Sequence, residues 1–249
     1  MNRLVVDRNI HLSVVIPAFN EAGRLPNTLG EVCAYLARQP YGAEIVVVDD
    51  GSSDGTAALV RGWPAQGIPL EVISHPDGRN HGKGAAVRRG FAHARGKYRV
   101  FMDADNSTTI DHVERFWPYF AQGYGVVIGS RDIAGADVAV HQPWHKEFGG
   151  KLGNVIIRAL AVPGIADTQA GFKAFTARCL DDILPRLTID RWGFDVEMLV
   201  AASCRGYSIR EVPIVWRNHA ASTVPASAYV QVLAEVWRVR RQRAAGRYR

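Results

Sequence analysis

Two carboxylates one residue apart, Asp103 and Asp105, close the apolar run "YRVFMDAD" of the 249-residue chain. Like charges at that spacing repel, and the end of a buried strand is a costly place for them. A divalent cation resolves the conflict. Mg2+ or Mn2+ takes hard oxygen ligands and is often held by one or two carboxylates, with substrate phosphates and water completing its shell. The pair would then bind a diphosphate that bare carboxylates repel. The alternative is a capping aspartate beside a solvent-facing one. Two further strand-like runs favour the cation: Asn20 and Glu21 follow "LSVVIPAF", and Asp49 and Asp50 end "AEIVVVDD".

The glycine-rich stretches exclude two other phosphate binders. "GSSDGT" does not have the G-x-G-x-x-G spacing of a dinucleotide fingerprint, and "GRNHGKG" lacks the Walker A spacing and its Ser/Thr. The first reads as a turn in which Asp54 caps the next helix. In the second, Lys83 stands at a helix start, where outward N–H groups suit an anion; a solvated lysine is the alternative. Cys33, Cys179 and Cys204 are odd in number and widely spaced, so reduced thiols without a metal pattern are expected.

The elements that must position these residues alternate. Strands are expected at 12–19, 43–50, 70–75 and from 98, with helices at 24–38, after the "GSSDGT" turn and at 84–95. Continuous apolar strands separated by helices predict an α/β fold, a mostly parallel sheet flanked by helices, whose ligands bind at the carboxyl ends of the strands. Beyond residue 110 the pattern loosens. A helix over 111–121, a strand at 125–130, a loop at 131–145 and a helix over about 146–161 are expected, then a strand at "FKAF" and a helix at 193–204.

Composition sets the outer limits. Hydrophobic residues make up 47% and charged residues 22%, ordinary for a globular chain. No apolar run is long enough to cross a bilayer, and "MNRLVVDRNI" does not read as a signal peptide. The net charge is +6, and the last twelve residues, "RVRRQRAAGRYR", hold six arginines, so the other 237 residues balance to zero. Basicity confined to a tail does not predict a nucleic-acid partner. Tyr229, Val232, Leu233, Val236 and Trp237 fall on one helical face just before those arginines. The expected organisation is a catalytic domain over 1–225 with a C-terminal amphipathic, Arg-rich helix over 226–249, lying on an anionic membrane surface. Docking of that helix on the domain is the competing reading.

Taken together, "VVIPAFNE", "VVVDDGSSDGT", "GKG", "MDAD" and "GSR" have the order and spacing of family 2 glycosyltransferases with the GT-A fold. "DTQAGFKAF", "FDVEML" and "IREVPIVW" resemble the branch that makes polyprenyl-phosphate sugars, the dolichyl-phosphate glucose and mannose synthases. The resemblance spans about residues 11–217 and is closer to the glucosyl members. It implies nucleotide binding by Pro17, Phe19, Glu21 and an acid of the Asp49–Asp50 pair, with Lys83 nearby. It also implies metal and diphosphate binding by Asp103 and Asp105, with Ser107 where mannosyl relatives carry a glutamine. Arg131 would lie between donor and acceptor phosphates. Lys146, Lys151, Gln169 and Arg217 would serve the acceptor.

The activity this implies is inverting transfer of a hexose, glucose from UDP-glucose, onto a polyprenyl phosphate at the cytoplasmic face of the cell membrane, with Mg2+ or Mn2+. GDP-mannose as donor and a soluble hydroxyl as acceptor are the enzymatic alternatives, and a nucleotide- or nucleic-acid-binding module without catalysis is the non-enzymatic one. A phosphate acceptor, with its second pKa of about 6, needs no strong base. A hydroxyl would, and Asp195 or Glu197 would then be the candidates.

Overall fold

The computed structural model describes residues 9–138, 162–217 and 227–249. The first half of the chain alternates as the hydrophobic pattern requires: β1 (Leu12–Ala18), α1 (Leu25–Leu36), β2 (Ala43–Asp49), α2 (Thr56–Arg61), β3 (Leu70–Ser74), α3 (Lys83–His93) and β4 (Tyr98–Met102). β1, β2 and β4 are buried along almost their whole length, which is why they read as continuous Val/Ile runs. β1 pairs in parallel with β2 and β4, and β2 with β3. Four strands pointing the same way bring their carboxyl ends to one edge of the sheet, and the acids stand there.

The second half extends that sheet. It contributes α4 (Trp117–Ala121), β5 (Val126–Ser130), β6 (Asp137–Val138), β7 (Phe172–Thr176), α5 (Ala177–Ile183), α6 (Phe194–Cys204), β8 (Ile209–Pro213), β9 (Val215–Trp216) and α7 (Ser227–Ala244). The strand order is β3-β2-β1-β4-β7-β5-β8, with β7 antiparallel to both β4 and β5, while β6 and β9 form a separate short ribbon. The helix expected over 111–121 is broken into a 3-10 turn, Ile110–Arg115, and the short α4. Pro118 has no N–H for the carbonyl of Glu114, so one continuous helix cannot form. The helix expected over 146–161, with Lys146 and Lys151, lies outside the described residues.

Each face of the sheet has its own core. Leu12, Val14 and Ile16 pack with Leu25, Leu29 and Val32 of α1 on one side. On the other, Val15, Val46 and Val48 meet Val87 and Phe91 of α3 and the apolar residues of α6. Gly90 permits the close seat of α3: a Cβ there would lie 2.3 Å from Val15 Cγ1.

Packing bears on two readings here. The described C-terminal residues, 227–249, do not stand free of the domain, since Val232, Val236 and Val239 of α7 and Tyr248 beyond it are buried in the same core as α6, the docking that was the competing reading. The predicted apolar stripe is divided: Val232 and Val236 face the domain, while Leu233 and Trp237 stay exposed. Nor is Glu197 a surface acid or a poised base. It is fully buried and accepts hydrogen bonds from Thr188 N (2.9 Å), Thr188 Oγ1 (2.8 Å), Ile189 N (2.8 Å) and Tyr248 Oη (2.8 Å). Its carboxylate anchors the 188–189 turn and the segment after α7 to α6. Bonds to a charged group contribute about 1.5–3 kcal/mol each. Tyr248→Phe should therefore lower stability by about 2 kcal/mol and Glu197→Ala by about 4 kcal/mol, read by urea unfolding.

Candidate active site

The loops after β1 and β2 are laced together. Asn20 N donates to Ser52 Oγ (2.9 Å), Ser53 N to Asn20 Oδ1 (2.8 Å), Glu21 N to Thr56 Oγ1 (2.9 Å) and Ala22 N to Asp54 Oδ2 (3.0 Å). Asn20 reaches this geometry with φ of 56°, a left-handed conformation that Asn tolerates. The expected Asp54 cap is displaced: Gly55 is the N-cap of α2 with no side-chain cap bond, and Asp54, one position earlier, accepts from Thr56 N (3.0 Å). Pro17 is half-buried in β1, and Phe19 beyond it stands 48% exposed. Glu21 is gripped by Arg24 through Nε (2.7 Å) and Nη2 (2.6 Å). Burial pushes the Glu21 carboxyl up despite Arg24, and Asp105 and Asp103 add to the rise.

The acids at the end of β2 differ in use. Both are buried, but Asp50 spends its oxygens on His81 N (2.8 Å) and Gly82 N (2.8 Å), while Asp49 receives only a longer bond from Ser52 N (3.3 Å). Asp50 therefore shapes the loop that delivers Lys83. The start of α3 is not an open anion site: Gly84 N donates to Arg191 O (3.2 Å) and Ala85 N to Asp190 O (2.9 Å). What Lys83 supplies is its ammonium, 2.6 Å from Asp103 Oδ1. Burial works against the charge on Lys83, but Asp103 and Asp195 outweigh it and raise its pKa.

After β4 the chain turns sharply. Asn106, with φ of 56°, donates Nδ2 to Glu31 Oε2 on α1 (2.7 Å), and Ser107 N donates to Asp105 Oδ1 (3.0 Å). Ser107 is buried, and its carbonyl accepts from Arg217 N (2.9 Å). Across the turn lies Gly171, where a Cβ would sit 2.0 Å from Asp103 Oδ2. Glycine is required for the 167–171 segment, with its half-buried Gln169, to lie against the acid.

Arg131, just beyond β5, faces this corner. Its Nε and Nη2 form a fork on Asp167 (2.7 and 2.9 Å), and its guanidinium lies over the ring of Trp216. Asp167 is positioned in turn by Glu211, which accepts from Ala166 N (2.7 Å) and Asp167 N (2.8 Å). Burial would raise the Asp167 carboxyl, but Arg131 holds it below the usual carboxylate range. Asp195 is 5% exposed and pairs with the fully buried Lys173 at 2.6 Å. Burial drives both toward their neutral forms, raising the aspartate and lowering the lysine. The two acids of "GFDVEML" thus point to different buried partners.

The donors at this corner fit a hard divalent cation. Asp103 and Asp105 are both partly exposed and can accept a further partner. Among the described residues no group of three acidic, His or Cys side chains forms a closed cage. Two carboxylates with room for phosphate oxygens and water is what such a cation accepts.

A sequence profile described as Glycosyl transferase family 2 matches residues 13–184. The chain belongs to this family. As a family 2 glycosyltransferase it is 34% identical over 247 residues to a dolichyl-phosphate beta-glucosyltransferase of Dictyostelium discoideum, covering 93% of this chain and 74% of that one. The protein of the same name from Saccharomyces cerevisiae is 33% identical over 231 residues, covering 85% and 68%. Among solved structures, glucosyl-3-phosphoglycerate synthase from Mycobacterium tuberculosis in complex with phosphoglyceric acid superposes with a TM-score of 0.68 at 19% identity, covering 92% and 80%. Mannosyl-3-phosphoglycerate synthase from Rubrobacter xylanophilus gives 0.65 at 21%, covering 96% and 75%. The shared fold is the GT-A arrangement that the sequence resemblance implied.

Residue types alone did not reveal Lys173, Glu211 or Asn106 as site supports. Only an apolar strand interrupted by a lysine, in "GFKAF", carried a signal. Because the Asp167 carboxyl is held low, its pairing with Arg131 contributes above about pH 4, the unfolded value, and is lost as pH falls through the folded one. Asp167→Asn should cost about 3 kcal/mol at pH 7, with the gap to the parent protein closing below about pH 4 in urea titrations.

Proposed function

We propose that this family 2 glycosyltransferase moves glucose from UDP-glucose onto the phosphate of a polyprenyl phosphate, with inversion and with Mg2+ or Mn2+ bound. The observation that carries the acceptor class is the state of the two candidate bases. Asp195 is tied to buried Lys173, and Glu197 is consumed by four donors. A phosphate oxygen brings its own lone pair and needs neither. The relatives' names support glucose and a dolichyl-type lipid.

In this reading Asp103 and Asp105 hold the cation, with the Ser107 hydroxyl as a further oxygen donor. When bound, the metal neutralises the diphosphate and favours its departure. Phe19 offers its exposed ring to the base, and Asp49, the less committed acid of its pair, is the partner for the base's N–H. Lys83 fixes Asp103 in position. Asp167 uses two of the five N–H groups of Arg131, orienting the fork so that the rest meet phosphate oxygens. The acceptor oxygen forms its bond to the anomeric carbon as the bond to the nucleoside diphosphate breaks, and that diphosphate carries away the electron pair. Gln169 and Arg217 border the acceptor side, and Lys146 and Lys151 are proposed to join them.

The acceptor is a lipid, and no helix of the described residues is long and apolar enough to cross a membrane. Peripheral attachment at the inner face of the cell membrane, through the exposed side of α7, is part of the proposal. Leu233 and Trp237 are exposed on α7, Arg240 stacks over the Trp237 ring, and Arg238 and Arg241 are exposed beside them. Each arginine near an anionic surface contributes about 1 kcal/mol.

Incubation with a panel of nucleotide sugars and an extracted polyprenyl phosphate, with mass analysis of the lipid, should give a hexosyl product from UDP-glucose. A product from GDP-mannose alone would reassign the donor. Asp105→Ala should cut turnover about 10^3-fold with an unchanged unfolding curve; retained turnover would remove the metal from the mechanism. Leu233→Glu combined with Trp237→Ala should abolish co-sedimentation with anionic vesicles while leaving the fold intact.

A further inference from the structure

An open cleft of about 440 Å3 lies between α3 and the sheet-edge strand β3. Its lining includes Ile73 and Ala85 as apolar surface and His75, Arg88, Arg89 and His93 as polar surface, and no carboxylate among the described residues lines it. Three of those four have an acid nearby. Arg88 Nη2 meets Asp190 Oδ1 at 2.5 Å, His93 Nε2 meets Glu71 Oε2 at 2.7 Å, and His75 Nε2 lies 3.3 Å from Asp50 Oδ1. Arg89 has no ion pair among the described residues, and its Nε is buried without a hydrogen-bond partner. His75 Nε2, also buried, has no hydrogen bond of normal geometry.

We infer that this cleft is an anion site taking a phosphate group, either inorganic phosphate or the phosphomonoester of a small metabolite. A buried guanidinium N–H left unpaired is costly, and a tetrahedral oxyanion satisfies it directly. Arg89 supplies the fork, His75 the second donor, and Arg88 and His93 stand beside them in the lining. A volume in the range of small-molecule pockets leaves space beside the phosphate for an organic group over Ile73 and Ala85. The site is separate from the donor and acceptor groups and does not rest on their assignment.

Occupancy reaches the catalytic corner through one chain of contacts. Burial lowers the His75 pKa against the pull of Asp50, with His81 and Arg89 adding to the fall. An anion beside the ring favours its protonated form. The imidazolium then holds Asp50 more firmly, and Asp50 fixes His81 N and Gly82 N, the residues that lead into Lys83.

The test is calorimetric titration of inorganic phosphate into the metal-free full chain, in phosphate-free buffer at constant ionic strength. One saturable site is expected, weakened at least tenfold by Arg89→Gln and less by Arg89→Lys. On the unaltered protein, the His75 ring resonances should shift with the same midpoint, a reading that does not depend on any variant folding. Equal phosphate affinity in Arg89→Gln, or His75 resonances that stay put at saturation, would overturn the assignment. Neither measurement involves glycosyl transfer, so its outcome is distinct from that of the lipid assay.

Discussion

The contact between Lys83 and Asp103 is the constraint around which the site is organised. An acid must stand at the end of β4 beside a second acid, and a lysine at the first residue of α3 offsets that repulsion from the neighbouring crossover. Everything close by serves the approach. Asp50 shapes the loop before Lys83, the carbonyls of Asp190 and Arg191 occupy the N–H groups of α3, and Gly171 leaves space against the carboxylate. The helix start thus works as a mount for an ammonium and not as a cradle for an anion.

Buried charge in this chain divides into two kinds. Asp103 and Asp105 remain partly open, with capacity to bind something further. Glu197 and Asp50 are enclosed with both oxygens engaged, and Asp195 is enclosed against Lys173, so they act as polar fasteners between segments distant in sequence. Motif position does not separate these classes, since Asp49 and Asp50 are adjacent and yet differ. For that adjacent pair the number of donors converging on each carboxylate does.

This division also marks how far the fold and the site were legible in the residues. Strands β1, β2 and β4 were readable because burial on both sheet faces leaves an unbroken apolar run, and the acids at their ends followed from the parallel geometry. The break at Pro118 shows local backbone chemistry overruling an apolar pattern. The seating of α7 was ambiguous for a different reason: one face holding Val232 and Val236 and its flank holding Leu233 and Trp237 form a single stripe in sequence, and only the packing partner divides it. Pairings such as Arg131 with Asp167, or Glu197 with Tyr248, join positions that no spacing rule connects.

The antiparallel strand β7 inserts between β4 and β5, so among the described residues the second half of the sheet is bridged to the first through Phe172–Thr176. During synthesis the outer edge of β4 emerges about seventy residues before the strand that covers it, an interval of about ten seconds at ordinary ribosomal rates. The nascent chain must carry a raw β edge for that time, and such edges recruit other strands. The length of that exposure is thus built into the order of the strands.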